Sequence, residues 1–237
     1  MIGNQRENNI LFYEYVYAIL DSSGVSIDFF KYLENNYRVI LFGGSGRDYL
    51  VFKEKCKIRD FDFVIAGLAS DSELLKLIEN NFKTFKWNHN HFGGIKIVTD
   101  SIALDFWRLE NTYAFRKGKV KTGIEYLLDT PMLNIDRYAY DMNKKQYVSK
   151  CNMYPLPREI DFNLYIDELL EINLVRAMVY SKRYNLKLSS PIMLKLKEVL
   201  SDEKRKKKME EFQLYHYKEE KVNLDEFAEF INARRIL

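Results

Sequence analysis

Cysteine is scarce in this chain, proline is scarce, and no long apolar run occurs; each scarcity narrows the classes of protein it can be. Cys56 and Cys151 are the only two cysteines among 237 residues. They are too few and too isolated for a disulfide framework or a cysteine-rich metal site, so a reducing interior is expected. No stretch approaches the length of a membrane span, and Met1 to Asn9 is polar with no apolar signal core, so the expected location is the cytoplasm, with no membrane partner. A strong charge of either sign is missing too. At a net charge of +3 the composition does not announce a nucleic-acid binder, and any basic surface must be local. Of the four prolines, Pro155 and Pro157 stand almost together and mark the expected domain boundary.

What remains is the composition of a soluble globular protein, 47% apolar and 30% charged, long enough for one large domain or two modest ones. The chain is organised around Tyr37 to Gly67. Tyr37 to Phe42 is a short apolar, β-prone run stopped by Gly43 and Gly44, which predicts a strand running into a tight turn. Ser45 suits a helix N-cap, with Asp48 in the first turn of the helix it would open. Beyond the loop Lys53 to Arg59, the run Asp60-Phe61-Asp62-Phe63-Val64-Ile65 alternates with strand period. Residues two apart on a strand share a face, so Asp60 and Asp62 point one way while Phe61 and Phe63 enter the core. Two carboxylates at that spacing can share a divalent cation.

Around this centre the pattern predicts helices over 9–21, 27–36 and 70–81. Strands are expected over 82–87, 95–99 and 102–107, a short helix over 124–128, and a hairpin pairing 134–141 with 146–149. In the 102–107 strand Ala103, Asp105 and Trp107 share a face, which supplies a third carboxylate, followed by Arg108 and Glu110. From Asp161 onward the pattern is helical throughout, over 164–184, 191–200, 203–217 and 224–231. The expected fold class is therefore α+β: a mixed-sheet head over 1–157, followed by an all-helical neck and tail over 158–237.

Several features have plain alternatives. A glycine pair after a strand is commonly just a turn, and without a Lys-Ser/Thr pair it is no Walker A loop. Phe alternates with Asp on many half-exposed strands. His89 and His91 form a His-x-His pair but lack a third ligand, which favours a polar turn. The basic run in Glu203 to Glu211 reads first as a solvated helix face and second as an RNA-facing surface. The glycine turn and the Asp-x-Asp strand say more together, because a phosphate cradle and metal-binding carboxylates are the two parts phosphoryl transfer requires.

Gly43-Gly44-Ser45-Gly46-Arg47-Asp48 followed by Asp60-Phe61-Asp62 resembles the head-domain signature of the tRNA nucleotidyltransferase and bacterial poly(A) polymerase family, within the DNA polymerase β-like nucleotidyltransferases. Phe92-Gly93-Gly94-Ile95-Lys96-Ile97-Val98 resembles the family's loop and strand before its third carboxylate. Leu104-Asp105-Phe106-Trp107-Arg108-Leu109-Glu110 resembles the strand carrying that carboxylate. Leu174 to Tyr184 resembles the neck helix. The chain departs from the family at Thr130 to Asp136, where arginines near the incoming triphosphate are missing. It departs again at Leu169-Leu170-Glu171-Ile172-Asn173, where a Glu-Asp-x-x-Arg motif would select the base.

The resemblance implies transfer of a nucleoside monophosphate from an NTP, ATP among them, to an acceptor hydroxyl, with release of pyrophosphate. Mg²⁺ or Mn²⁺ would be held by Asp60, Asp62 and Asp105. The phosphates would be held around Gly43, Gly44, Ser45, Arg47 and Asp48, with Arg47 or Arg108 as cationic partner. An RNA or tRNA 3′ end is the acceptor the resemblance implies, and a protein or small-molecule hydroxyl fits the same chemistry. The alternative is a catalytically silent module that binds nucleotide or RNA on the same fold.

Overall fold

The computed structural model describes residues 5–90, 92–148 and 156–233; His91, Ser149, Cys151 and Pro155, which figure in the sequence reading, lie outside them. The chain divides into two compact units. One holds the residues up to Thr130 together with Asp136–Leu156, and the other holds Pro131–Ile135 together with Pro157 onward.

The first unit opens with α1 (Gln5–Ser22) and α2 (Ile27–Asn36), the latter capped by Ser26, whose hydroxyl accepts from the Phe29 amide. Next come β1 (Arg38–Phe42), α3 (Gly44–Phe52), β2 (Asp60–Ala66) and α4 (Asp71–Asn81). At the start of α4, Ser70 accepts from the Glu73 amide while the Glu73 carboxylate reaches back to the amide of Ala69, so the two side chains satisfy amides on both sides of the helix start. The remaining strands are β3 (Lys86–His89), β4 (Ile95–Val98) and β5 (Ala103–Arg108). After the short helix α5 (Tyr113–Arg116) follow β6 (Ala139–Asp141) and β7 (Gln146–Tyr147).

These strands form one seven-stranded sheet in the order β3-β4-β5-β2-β1-β6-β7. It is mixed: β2 and β5 run parallel, and their neighbours are antiparallel. One face is closed by α1, α2 and α4, where Phe12, Phe30, Leu33 and Ile78 meet Phe61, Phe63, Leu104, Phe106 and Ile97. The phenylalanine rings at its centre touch directly, Phe63 stacking on Phe106 with centroids 5.2 Å apart. The opposite face buries Ile40 and Val64 under Leu109, Phe115, Leu127, Leu128 and Tyr138. Strand alternation assigns Asp60, Asp62, Lys96 and Asp105 to that second face.

The second unit contains β8 (Glu159–Ile160), α6 (Leu170–Tyr184), β9 (Lys187–Leu188), α7 (Ser190–Leu200), α8 (Glu203–Tyr217) and α9 (Leu224–Ala233). It is helical apart from β8 and β9, which pair in parallel; the all-helical expectation is corrected by this two-residue pairing, which is too short to leave a periodic pattern. Within this unit Leu133 bridges Phe162, and the Asn134 side chain bonds the Glu159 carbonyl and the Asp161 amide. No helix among the described residues is long and apolar enough to cross a membrane.

Candidate active site: carboxylates beside a glycine turn

Parallel pairing of β2 with β5 sets Asp62 directly opposite Asp105, with Asp60 one step away opposite Ala103. Neighbouring strands stand about 4.8 Å apart, so three carboxylates from two strands project from one patch of the sheet. Exposure falls across them: Asp60 is exposed, Asp62 half-buried and Asp105 buried at 8%.

The glycine turn closes one side of this patch. Gly43 has φ +82°, a conformation few side-chain-bearing residues adopt, and a Cβ there would lie 3.4 Å from Asp62 Oδ2. The helix starts two residues earlier than the sequence implies: Gly43 is the N-cap and Ser45 is already helical, so Ser45 is not the capping residue. The Gly43 amide donates to the Tyr138 carbonyl at 2.8 Å. That leaves the following amides as the ones able to face an anion at the helix start. The Ser45 hydroxyl is buried and has no hydrogen-bond partner among the described residues, an unmade bond that a ligand could complete.

Two residues missed at the sequence level hold Asp105. The Lys96 ammonium lies 3.0 Å from Asp105 Oδ2, and the Asn90 side-chain amide donates to Asp105 Oδ1 at 3.0 Å. Lys96 is directly across from Asp105 in the β4–β5 register. Burial pulls its pKa down, but the hydrogen bond to Asp105 and the charges of Asp105, Asp60 and Asp62 outweigh this, so the net direction is upward and Lys96 stays an ammonium. Asn90 also accepts from the amides of Phe92 and Gly94. Gly94 is required here, since a Cβ would meet Asn90 Nδ2 at 2.9 Å and the Phe106 carbonyl at 3.0 Å. The signal was available: Lys96 is the one charged residue in Ile95-Lys96-Ile97-Val98, and hairpin pairing brings it to the carboxylate strand.

The expected cationic partners are placed elsewhere. Arg47 is 2% exposed, with its guanidinium engaged by Asp48 at 2.9 Å and Asp136 at 2.6 Å, so Arg47 and Asp48 form a buried ion cluster. Arg108 shares a strand face with Leu104 and Phe106, opposite to Asp105; there it meets Asp71 and Glu110, each at 3.4 Å. On the carboxylate side, Arg116 of α5 brings Nη1 within 3.6 Å of where a Gly93 Cβ would be.

Hard carboxylate oxygens on one face, with a glycine leaving room beside one of them, are donors suited to Mg²⁺ or Mn²⁺. Among the described residues, however, no group of three or more His, Cys, Asp or Glu side chains is gathered closely enough to hold a metal ion. Asp60, Asp62 and Asp105 share a face, with Asp105 turned to Lys96 and Asn90. His89 is exposed at the end of β3.

Among solved structures, a CCA-adding enzyme in complex with ATP matches with a TM-score of 0.58 at 14% identity, over 91% of this chain and 54% of that one. The fold is nucleotidyltransferase-like. A tRNA-processing enzyme complex gives 0.56 at 18% identity over 84% and 54% of the two chains. The Thermotoga maritima CCA-adding enzyme complexed with tRNA gives 0.53 at 16% identity over 84% and 48%. The chain thus spans about half the length of these structures. No protein-family model matches it, nor does any curated protein. Within this nucleotidyltransferase-like fold, the residues standing where a base-selecting motif was sought serve the second unit's own packing. Leu170 and Asn173 are buried, and the Asn173 amide bonds the Leu169 carbonyl at 2.9 Å and the Met132 sulfur at 3.2 Å.

Proposed function

We propose that this chain is a nucleotidyltransferase that moves a nucleoside monophosphate from an NTP to an acceptor hydroxyl. The acceptor oxygen forms a bond to the α-phosphorus, the bond from that phosphorus to the bridging oxygen breaks, and pyrophosphate leaves. One observation carries the reading: Asp62 and Asp105 stand opposite each other on parallel strands, beside the Gly43 turn that opens α3. Asp60 and Asp62 would hold Mg²⁺ or Mn²⁺. The bound cation supplies charge neutralisation at the phosphates and lowers the pKa of the acceptor hydroxyl. Asp105, fixed by Asn90 and Lys96, stands at the acceptor side as their charge partner. The amides at the start of α3 and the Ser45 hydroxyl receive phosphate oxygens, and Arg116 serves as cationic partner. The acceptor is an RNA 3′ end, a choice supported by the fold match to a structure containing tRNA.

The Lys96–Asp105 ion pair also favours a second reading, a nucleotide- or RNA-binding module without turnover. The two separate on pyrophosphate release from each of the four NTPs with cellular RNA and Mg²⁺. Release is expected with weak preference among the bases, because a site that hydrogen-bonds a base can reject analogues by about 10⁴-fold, and Asn173 is engaged internally. No release with any NTP would favour the silent module, and strict CCA addition would overturn the assignment of the base-selecting positions.

A further inference from the structure

Lys96 is a cation already installed in the carboxylate patch. Opposite charges placed directly across an antiparallel pair attract, and here the pair is tight, with Nζ 3.0 Å from Asp105 Oδ2. Asn90 fills the other oxygen, so both oxygens of this buried carboxylate face protein donors. A divalent cation binds a carboxylate oxygen at about 2.1 Å. On Oδ2 it would therefore stand no more than about 5 Å from the Lys96 ammonium, and the two like charges would repel at that distance. Asp60 is exposed, by contrast, and Asp62 half-buried.

Three carboxylates in such a patch can hold two divalent cations when no other cation competes. We infer that the Lys96 ammonium takes the place of one of these two cations, so that the site binds a single divalent cation, on Asp60 and Asp62. The inference rests on the nucleotidyltransferase reading for the identity of the carboxylate site and adds its cation count. In this arrangement Asp105 is neutralised by Lys96 instead of a metal. Asn90 keeps the carboxylate turned toward the lysine, and the total countercharge on the three aspartates falls by one.

The test is a Mn²⁺ titration of the full chain followed by electron paramagnetic resonance of the free ion, with thermal melts alongside. The wild type is expected to bind one Mn²⁺ per chain, and Asp60→Asn to lose it. Lys96→Met is expected to bind two, with the second lost again when Asp105→Asn is added. Lys96→Gln keeps a hydrogen-bond donor toward Asp105 without the charge, and gives the same answer should Lys96→Met fail to fold. Two ions in the wild type, or one ion in both folded Lys96 variants, would overturn the inference alone. An Asp60→Asn protein binding as many ions as the wild type, or no binding in any variant, would overturn the carboxylate reading and the inference with it.

Discussion

Asn90 joins two jobs in one side chain, since its carbonyl oxygen receives the amides of Phe92 and Gly94 while its amide holds Asp105. Asn90→Ala is expected to cost about 1–3 kcal/mol, the usual penalty for stranding partly buried polar partners. Asn90→Asp keeps the acceptor for both amides but sets a second carboxylate against Asp105, so it should melt no higher than Asn90→Ala; a melt at or above the wild type would contradict the contact. Arg47 makes a different case. Its guanidinium lies between Asp48 and Asp136, all three buried, and removing one member of a buried ion cluster leaves uncompensated charge. Arg47→Ala is expected to lose about 3–5 kcal/mol in urea unfolding, whereas a phosphate-binding arginine would lose affinity with little change in stability. The carboxylates were legible in the sequence because Asp60, Asp62 and Asp105 sit on strongly alternating strands. Lys96 and Asn90 were not, because their meaning depends on which residue faces them across a strand pair or turn. The contact of Arg47 with Asp136 was not legible either, because local sequence could not reveal a partner 89 positions away.

At the scale of elements, α1 and α2 are joined by a polar contact on the edge of an otherwise apolar interface: the hydroxyls of Tyr13 and Tyr17 both donate to the Glu34 carboxylate. Burial first, then the charge of Glu34, push the Tyr13 hydroxyl from 10.0 up to about 12, against a lowering contact with Tyr17. Tyr17 is raised further, again chiefly by burial. A phenol whose pKa is higher in the folded state keeps its proton after the unfolded chain has released it. This contribution to stability is complete below pH 10.0 and is lost as pH rises toward about 12. Stability should therefore fall across that alkaline window, and Tyr13→Phe should flatten the fall in urea melts taken at stepped pH; an identical slope would contradict the linkage. The helices and central strands were readable from periodicity and caps. β3 was expected over 82–87 but lies at Lys86–His89, because Phe82 is buried in the helix-side core and antiparallel pairing with β4 extends the strand into the polar segment.

At the scale of the whole molecule, the sequence break near Pro157 separates strand-rich from helix-rich pattern. The five residues Pro131–Ile135 nevertheless pack with the second unit, through pairings such as Leu133 with Phe162 that no local pattern encodes. A net charge of +3 over 237 residues gives no broad electrostatic pull on a polynucleotide, so the proposed activity on RNA would depend on the carboxylate patch and its immediate surroundings. The most direct test is transfer of label from NTPs carrying a labelled α-phosphate into total cellular RNA, with and without Mg²⁺, by the wild type and by Asp60→Asn, whose thermal melts are recorded in parallel. Asp60 is exposed, so its loss should leave the melt nearly unchanged while transfer falls by about 10²-fold or more. Mg²⁺-dependent labelling of RNA by the wild type, lost in a fully folded Asp60→Asn, is the expected result; equal labelling by the two proteins would contradict a metal-dependent nucleotidyltransferase site at these carboxylates.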